Sequence, residues 1–235
     1  MADGLLLDVT VLSPLHIGSG DAPLRPDAQY IAARGALWVV DLDRALAGLS
    51  IEQLEHGHLP PLKNLVKASA YADVSRYRID LPGGREQPEQ VVPCIADVAG
   101  RPYVPGSSIK GALRTAIAWD LLSRGAARET LERVVREAVD QGGRGRVATA
   151  RLERELFGRD PNHDVLRALR VGDLAPRDDV AARRDLADVR LYGLRGTTLE
   201  PKGDAFRWDV EALAPEARLQ GGVWLDRWLL EQDGF

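Results

Sequence analysis

Fourteen residues, RPYVPGSSIKGALR from Arg101 to Arg114, constrain the chain more than any other stretch. Pro102-Tyr103-Val104 is β-prone, Pro105-Gly106 breaks the run, and Ser107-Ser108 stand before an apolar-periodic segment that begins at Ile109. A serine in that position is a helix N-cap signal. The helix it starts aims unpaired backbone N–H groups, and the positive end of the dipole, at whatever lies in front. The spacing puts Lys110 and Arg114 on one face and Ile109, Leu113 and Ile117 on another. Gly111 keeps the first turn bare of side chain, so a sugar-phosphate backbone could lie close to it. The stretch reads as an anion site suited to a polyanion, and equally as a capped amphipathic helix whose Lys and Arg face water.

Nucleotide hydrolysis is excluded by the same residues. Gly106 and Gly111 have the spacing of a phosphate loop, but Ala112-Leu113 stand where Lys-Ser/Thr must hold phosphate and magnesium. The single cysteine, Cys94, rules out an internal disulfide and leaves no thiolate cluster for structural zinc. Neither a cofactor nor a metal is expected. Met1-Ala2-Asp3-Gly4 lacks a basic leader region and no apolar run reaches membrane-spanning length, so the expectation is a cytoplasmic protein with no membrane partner.

Net charge is −4, which taken alone argues against nucleic acid. The charge is unevenly placed, however. Arg101 to Arg154 holds eleven Lys or Arg against six Asp or Glu. One polyanion-facing surface in an otherwise acidic chain is compatible with that. So is a set of solvated helices with self-paired charges, such as Glu129 with Arg133 and Glu132 with Arg136.

In chain order, Leu5 to Leu12 reads as a strand, and Leu15 to Gly20 as a loop with two glycines. Gln29 to Ala33 and Leu37 to Val40 flank Arg34-Gly35, a hairpin signal. Short helices are expected at Asp41 to Gly48, from Ser50 (a capping box) to His56, and at Pro60 to Ala70. Ser75 to Leu81 and Gln90 to Val98 are strand candidates around Pro82-Gly83-Gly84. Helices follow at Ser108 to Ser123, Arg128 to Asp140 and Thr149 to Phe157, with a basic loop at Gly142 to Arg146. Strands are expected at Leu169 to Leu174, Asp188 to Leu194, Phe206 to Leu213 and Arg218 to Leu225. Strands, then helices, then strands imply an α+β fold. The expected organisation is one domain over 1–235, with helical insertions at about 42–72 and 124–158 and a sub-boundary near 158–162.

Acid–base candidates are few. His16 lies in the glycine loop and could act as acid or base, hydrogen-bond a phosphate, or pack the loop. No second acid or base stands at a recognisable spacing. His56-Gly57-His58 supplies only two of the ligands a metal needs, and His163 sits in a turn.

Tyr103 to Arg114 resembles the glycine-rich signature of the RAMP superfamily, the RNA-binding subunits of type III CRISPR effectors. Leu15-His16-Ile17-Gly18-Ser19-Gly20, after the first strand, resembles that family's other recurring segment. The resemblance runs from Leu5 to about Asp173, with fainter similarity beyond. It implies a ferredoxin-like (RRM-like) core with helical insertions. It also implies that His16, Gly18, Ser19, Gly20, Gly106, Ser107, Ser108, Lys110, Gly111 and Arg114 face guide RNA (crRNA).

Backbone subunits of that superfamily cut target RNA with an aspartate in the loop after the first strand, where Asp21 and Asp27 stand here. This chain instead inserts a hairpin, Trp38 to Asp43 and helices before the Pro-Gly-Ser-Ser segment. In this it resembles the single-copy subunit that caps the Csm complex at the guide's 3′ end, which is without nuclease chemistry. The glycine-rich loop of the processing endonucleases is poorly matched by Gly221-Gly222. The chain stops at Phe235, earlier than cap subunits, as a compact version or a fragment would. The implied function is therefore non-catalytic: crRNA binding in a type III-A antiviral complex. The partners are other backbone subunits, small subunits and, indirectly, target RNA. A target-cleaving subunit using Asp21 or Asp27, and a scaffold binding only protein, are the alternatives.

Overall fold

The computed structural model describes residues 3–47, 60–81, 85–140, 145–177, 183–203 and 206–231. Its strands are β1 (Asp3–Thr10), β2 (Tyr30–Ala33), β3 (Ala36–Val40), β4 (Ser75–Asp80), β5 (Val91–Val92), β6 (Leu169–Val171), β7 (Ala175–Pro176), β8 (Arg184–Arg190), β9 (Tyr192–Arg195), β10 (Thr198–Pro201), β11 (Arg207–Leu213) and β12 (Arg218–Leu225). Its helices are α1 (Leu42–Leu46), α2 (Leu62–Leu65), α3 (Tyr71–Val74), α4 (Gly106–Leu122), α5 (Gly125–Asp140), α6 (Gly145–Phe157) and α7 (Arg227–Leu230). The fold is α+β. The chain divides into two compact units, one of residues 1–8, 104–175 and 220–235, the other of residues 9–103 and 176–219. Residues 158–162, the expected sub-boundary, lie inside the first unit.

In the first unit the sheet order is β1-β12-β6, and α4, α5 and α6 pack on one another. Val134, Phe157, Leu166 and Leu174 are buried there. Arg133 and Arg151 are each paired with both Glu137 and Glu155, joining α5 to α6. These pairings replace the expected Glu129–Arg133 and Glu132–Arg136. Being half exposed, they contribute little individually.

Helix α4 departs from expectation at its start. Pro105 (φ −58°, ψ 135°) is the N-cap, and Ser107 and Ser108 lie inside the first turn, making no cap bond. Proline suits the entry because its fixed φ matches the helix and it has no N–H to orphan. The acceptor that a serine was expected to supply comes from Asp173, whose carboxylate takes the Gly106 N–H at 2.8 Å. Gly106 is required by packing: a Cβ there would meet the Val171 carbonyl oxygen at 2.1 Å. At Gly111, on the exposed side of the helix, a Cβ would meet nothing within 4 Å.

The second unit holds two three-stranded sheets, β2-β3-β4 and β5-β11-β8, and the hairpin β9-β10. Arg34 (φ 54°) and Gly35 (φ 70°) form the left-handed pair that closes a two-residue hairpin, registering Tyr30 opposite Val39. Tyr30, Leu37, Val39, Ile79, Val91 and Leu186 form one core cluster. Ile31, Val40, Leu62 and Val66 form another.

Several expected elements are shorter or split. Pro60 to Ala70 gives one helical turn and a 3₁₀ turn (Ala68–Ala70). Gln90 to Val98 pairs as a strand only at Val91–Val92 and continues as isolated bridges at Cys94 and Ala96, because Pro93 has no N–H for a ladder. Leu169 to Leu174 ends as a strand at Val171 and continues as a bridge at Leu174. Asp188 to Leu194 is split at Leu191 between β8 and β9. The expected helix from Ser50 to His56, Pro82-Gly83-Gly84 and Gly142 to Arg144 lie outside the described residues. Among the described residues no helix is long and apolar enough to cross a membrane.

Beneath the second unit's core lies a charged node. Glu211 is wholly buried; its carboxylate accepts from Tyr77 Oη (2.6 Å) and the Cys94 N–H (3.0 Å). Arg184, also buried, stands 3.8 Å from it with its guanidinium 3.7 Å over the Tyr77 ring. Removing one member strands the other charges in a dry interior. Glu211→Ala is therefore expected to cost about 3–5 kcal/mol in urea unfolding, with Glu211→Gln milder. A second pair of variants tests the α4 start. Gly106→Ala should destabilise by about 1–3 kcal/mol through overpacking. Gly111→Ala should stabilise by about 1 kcal/mol through helix propensity. Equal effects at the two glycines in the same unfolding experiment would contradict the packing described.

Candidate nucleic-acid interface

The loop from Leu15 to Gly20 is held along its length by the second unit's own backbone. Leu15 exchanges N–H and carbonyl bonds with Leu213 (3.1 and 2.8 Å), Ile17 accepts from Ile95 (2.8 Å), and Ser19 donates to Pro93 (3.2 Å). Leu24 closes the segment with two bonds to Val91. Glu211 reaches the loop as well: its carbonyl accepts from His16 Nδ1 at 2.6 Å. A carbonyl can only accept, so Nδ1 carries a proton and Nε2 is the nitrogen not engaged by Glu211. Gly18 and Gly20 are exposed, and Gly20 takes φ 86°.

Beside this loop lies a cleft of about 1120 Å³. Ser19 and Asp21 stand on its wall, together with the backbone turn 97–100 and the side chains of Tyr77, Arg76, Arg44 and Arg184. Burial, then the adjacent Glu211 charge, pushes the Tyr77 hydroxyl well above its ordinary range, so it stays a proton donor. Burial likewise raises the Cys94 thiol and removes it as a nucleophile at neutral pH. Asp97 is held below the usual carboxylate range by the Arg101 backbone N–H and guanidinium, and so stays charged. Asp41 lies 3.6 Å from Arg44 and 3.9 Å from Arg76. The wall therefore mixes both signs, with the guanidinium of Arg184 set deepest.

Asp21 is exposed, and its N–H donates to Ser19 Oγ (3.1 Å). Asp27 is differently employed. Its φ is 58°, its carbonyl accepts from Leu62 N–H, and its carboxylate is 2.9 Å from Lys63 Nζ. Among the described residues no group of three His, Cys, Asp or Glu is placed to hold a metal ion.

In the first unit, Gly106, Ser107, Ser108, Lys110, Gly111 and Arg114 share the first turns of α4. Ser107, Ser108 and Gly111 are exposed and Lys110 is half-buried. Lys110 has no acidic partner among the described residues. Arg114 has two, Asp164 at 2.7 Å and Glu153 at 3.5 Å, and its guanidinium lies 4.0 Å over the buried Phe157 ring. Lys110 and Arg114 thus differ in surroundings: Arg114 ties the helix to its neighbours, and Lys110 makes no such tie among the described residues. His163 bonds Asp160 within its turn, and His56 and His58 lie outside the described residues.

Sequence reasoning missed Glu211, Tyr77 and Arg184. Glu211 carries a signal, a lone charge inside the apolar run Val210-Glu211-Ala212-Leu213-Ala214. Arg184 carries none, since Arg183 beside it is exposed.

Known proteins place these features in context. No curated protein matches the chain. A crystal structure of T. onnurineus Csm5 is similar at 25% identity with a TM-score of 0.67, covering 95% of this chain and 68% of that one. A chain in a cryo-EM structure of a Csm–crRNA–target RNA ternary complex of a type III-A CRISPR–Cas system is similar at 26% identity, with a TM-score of 0.60. It is matched over 98% of this chain and 65% of its own length. This chain thus spans about two thirds of either relative. The RAMP superfamily model matches residues 8–234, which takes in the bound loop, the cleft wall and α4, and the chain belongs to the RAMP superfamily.

Proposed function

We propose that the chain is a non-catalytic crRNA-binding subunit of a cytoplasmic type III-A, Csm-type CRISPR complex, seated at the crRNA 3′ end and serving antiviral defence. The observation that carries this reading is the Leu15–Gly20 loop. It is pinned by backbone bonds on both sides, yet presents His16 Nε2, Ser19 and two bare glycines beside an arginine-bearing cleft. Such a surface suits an RNA backbone: a glycine allows close approach, and an imidazole nitrogen can hydrogen-bond a 2′-hydroxyl. Contacts of this kind position RNA without reading its sequence. On α4, Lys110 with Ser107, Ser108 and Gly111 takes the phosphate-facing role, and Arg114 positions the helix. The likeness to Csm5 favours the cap position, with the complex's backbone and small subunits as neighbours and target RNA reached through the guide. The ferredoxin-like reading rests on the antiparallel β12–β6 pairing backed by α4.

Asp21, exposed on the same wall, is the observation in favour of a target-cleaving subunit. Against it, Asp27 is committed to Lys63 and to its turn, so the two carboxylates do not form a pre-organised pair. Complexes reconstituted with Asp21→Ala and Asp27→Ala together should cleave target RNA at the wild-type positions and rates. Loss of one or more cuts with assembly intact would install the nuclease reading instead.

A further inference from the structure

Three glycines from three sheet segments of the first unit lie under one indole. A Cβ at Gly222, in β12, would sit 2.2 Å from Trp224 Cη2. One at Gly4, in β1, would sit 2.9 Å from Cδ1 and Nε1, and one at Gly172, just past β6, 3.3 Å from Cζ3. The sheet order is β1-β12-β6, and Gly172 N–H bonds the Gly222 carbonyl at 2.8 Å. The Trp224 ring therefore lies across the sheet on a floor cleared of side chains. It is still 41% exposed, and it borders a cavity of about 370 Å³. Arg170 stands opposite Trp224 in the strand register and shares that cavity, its guanidinium 3.0 Å from the Asp226 carboxylate. Covering glycines uses only one face of an indole. Here the other face is open, beside a planar cation and a carboxylate acceptor at the cavity wall.

Resting on the proposed RNA-binding role, we infer that Trp224 is a stacking platform for one unstacked nucleobase of the bound single-stranded RNA, with Arg170 donating to the base edge or its phosphate and Asp226 accepting from a base-edge N–H. Every base presents a π-face, so the site takes bases without strong sequence preference. The cavity has the size of a small-ligand site, and a flat π-surface with hydrogen-bonding groups at its border suits a planar heterocycle better than an aliphatic side chain.

The test uses the full chain and two probes, an oligouridylate and an abasic oligomer of equal length. Trp224→Leu should weaken oligouridylate binding about tenfold, and Trp224→Phe, which keeps a ring, should stay within about threefold of wild type. The abasic oligomer should bind all three proteins alike. Independently of any variant, 5-iodouridine RNA photocrosslinked to the wild-type protein should mark the tryptic peptide Leu219–Arg227, whose one aromatic residue is Trp224. If wild type and Trp224→Leu bind oligouridylate equally, the platform inference falls and the RNA-binding reading stands. If Trp224→Leu keeps RNA affinity but drops out of the assembled complex, the platform takes a protein neighbour and the inference falls. If wild type binds neither oligomer and yields no crosslink, alone or in complex, the functional reading falls and the inference with it.

Discussion

The second unit depends on a buried carboxylate whose two oxygens each accept a hydrogen bond, with a buried guanidinium 3.8 Å away. Glu211 uses its side chain to hold Tyr77 and the Cys94 amide, and its carbonyl to hold His16. Burying such a charge is unfavourable unless it is fully partnered. Its partners are therefore fixed in position relative to one another, and they come from distant parts of the chain. The loop carrying His16, the strand carrying Tyr77 and the irregular segment carrying Cys94 meet at one residue, the first through its carbonyl and the other two through its carboxylate. Arg184 completes the charge balance, stacked on Tyr77 and bonded to the Gly100 carbonyl at 2.5 Å. The same arrangement that stabilises the core also holds the histidine of the neighbouring loop by its Nδ1.

The start of α4 shows a different economy. A helix N-terminus attracts anions, and here the chain supplies its own, since Asp173 occupies the Gly106 N–H. A phosphate approaching end-on would have to displace that carboxylate. The open ground is the flank of the first turn, where Ser107, Ser108 and Gly111 are exposed and Lys110 is half-buried. Arg114 is held by two carboxylates and the face of Phe157, tying α4 to α6 and to the turn at Asp164.

Much of this was legible in the sequence where the causes are local. Arg34-Gly35 announced its hairpin because two left-handed residues permit that turn, and the apolar period after Ile109 announced the helix. The errors share a non-local cause. Ser107-Ser108 mimics a cap, but the acceptor comes from Asp173, 67 residues away. Likewise the spacing that pairs Arg114 with Lys110 on one face gives no sign of its bond to Asp164, 50 residues away. Gln90 to Val98 has strand composition, yet Pro93 interrupts the ladder that composition alone would extend. Glu211 was visible as a charge out of place in an apolar run, although its four partners are not deducible from spacing. The glycine-rich segments carried the family because their residues serve close approach, and Gly106 does so here toward its own backbone.

The claim that most needs testing is position within the complex: a single-copy subunit at the crRNA 3′ end. Native mass spectrometry of the purified complex, combined with crosslinking to crRNA carrying a photoreactive nucleotide at either end, measures it directly. The account predicts one copy of this chain per complex and adducts from the 3′-terminal nucleotide. Several copies per complex, or adducts confined to the 5′ end, would contradict it.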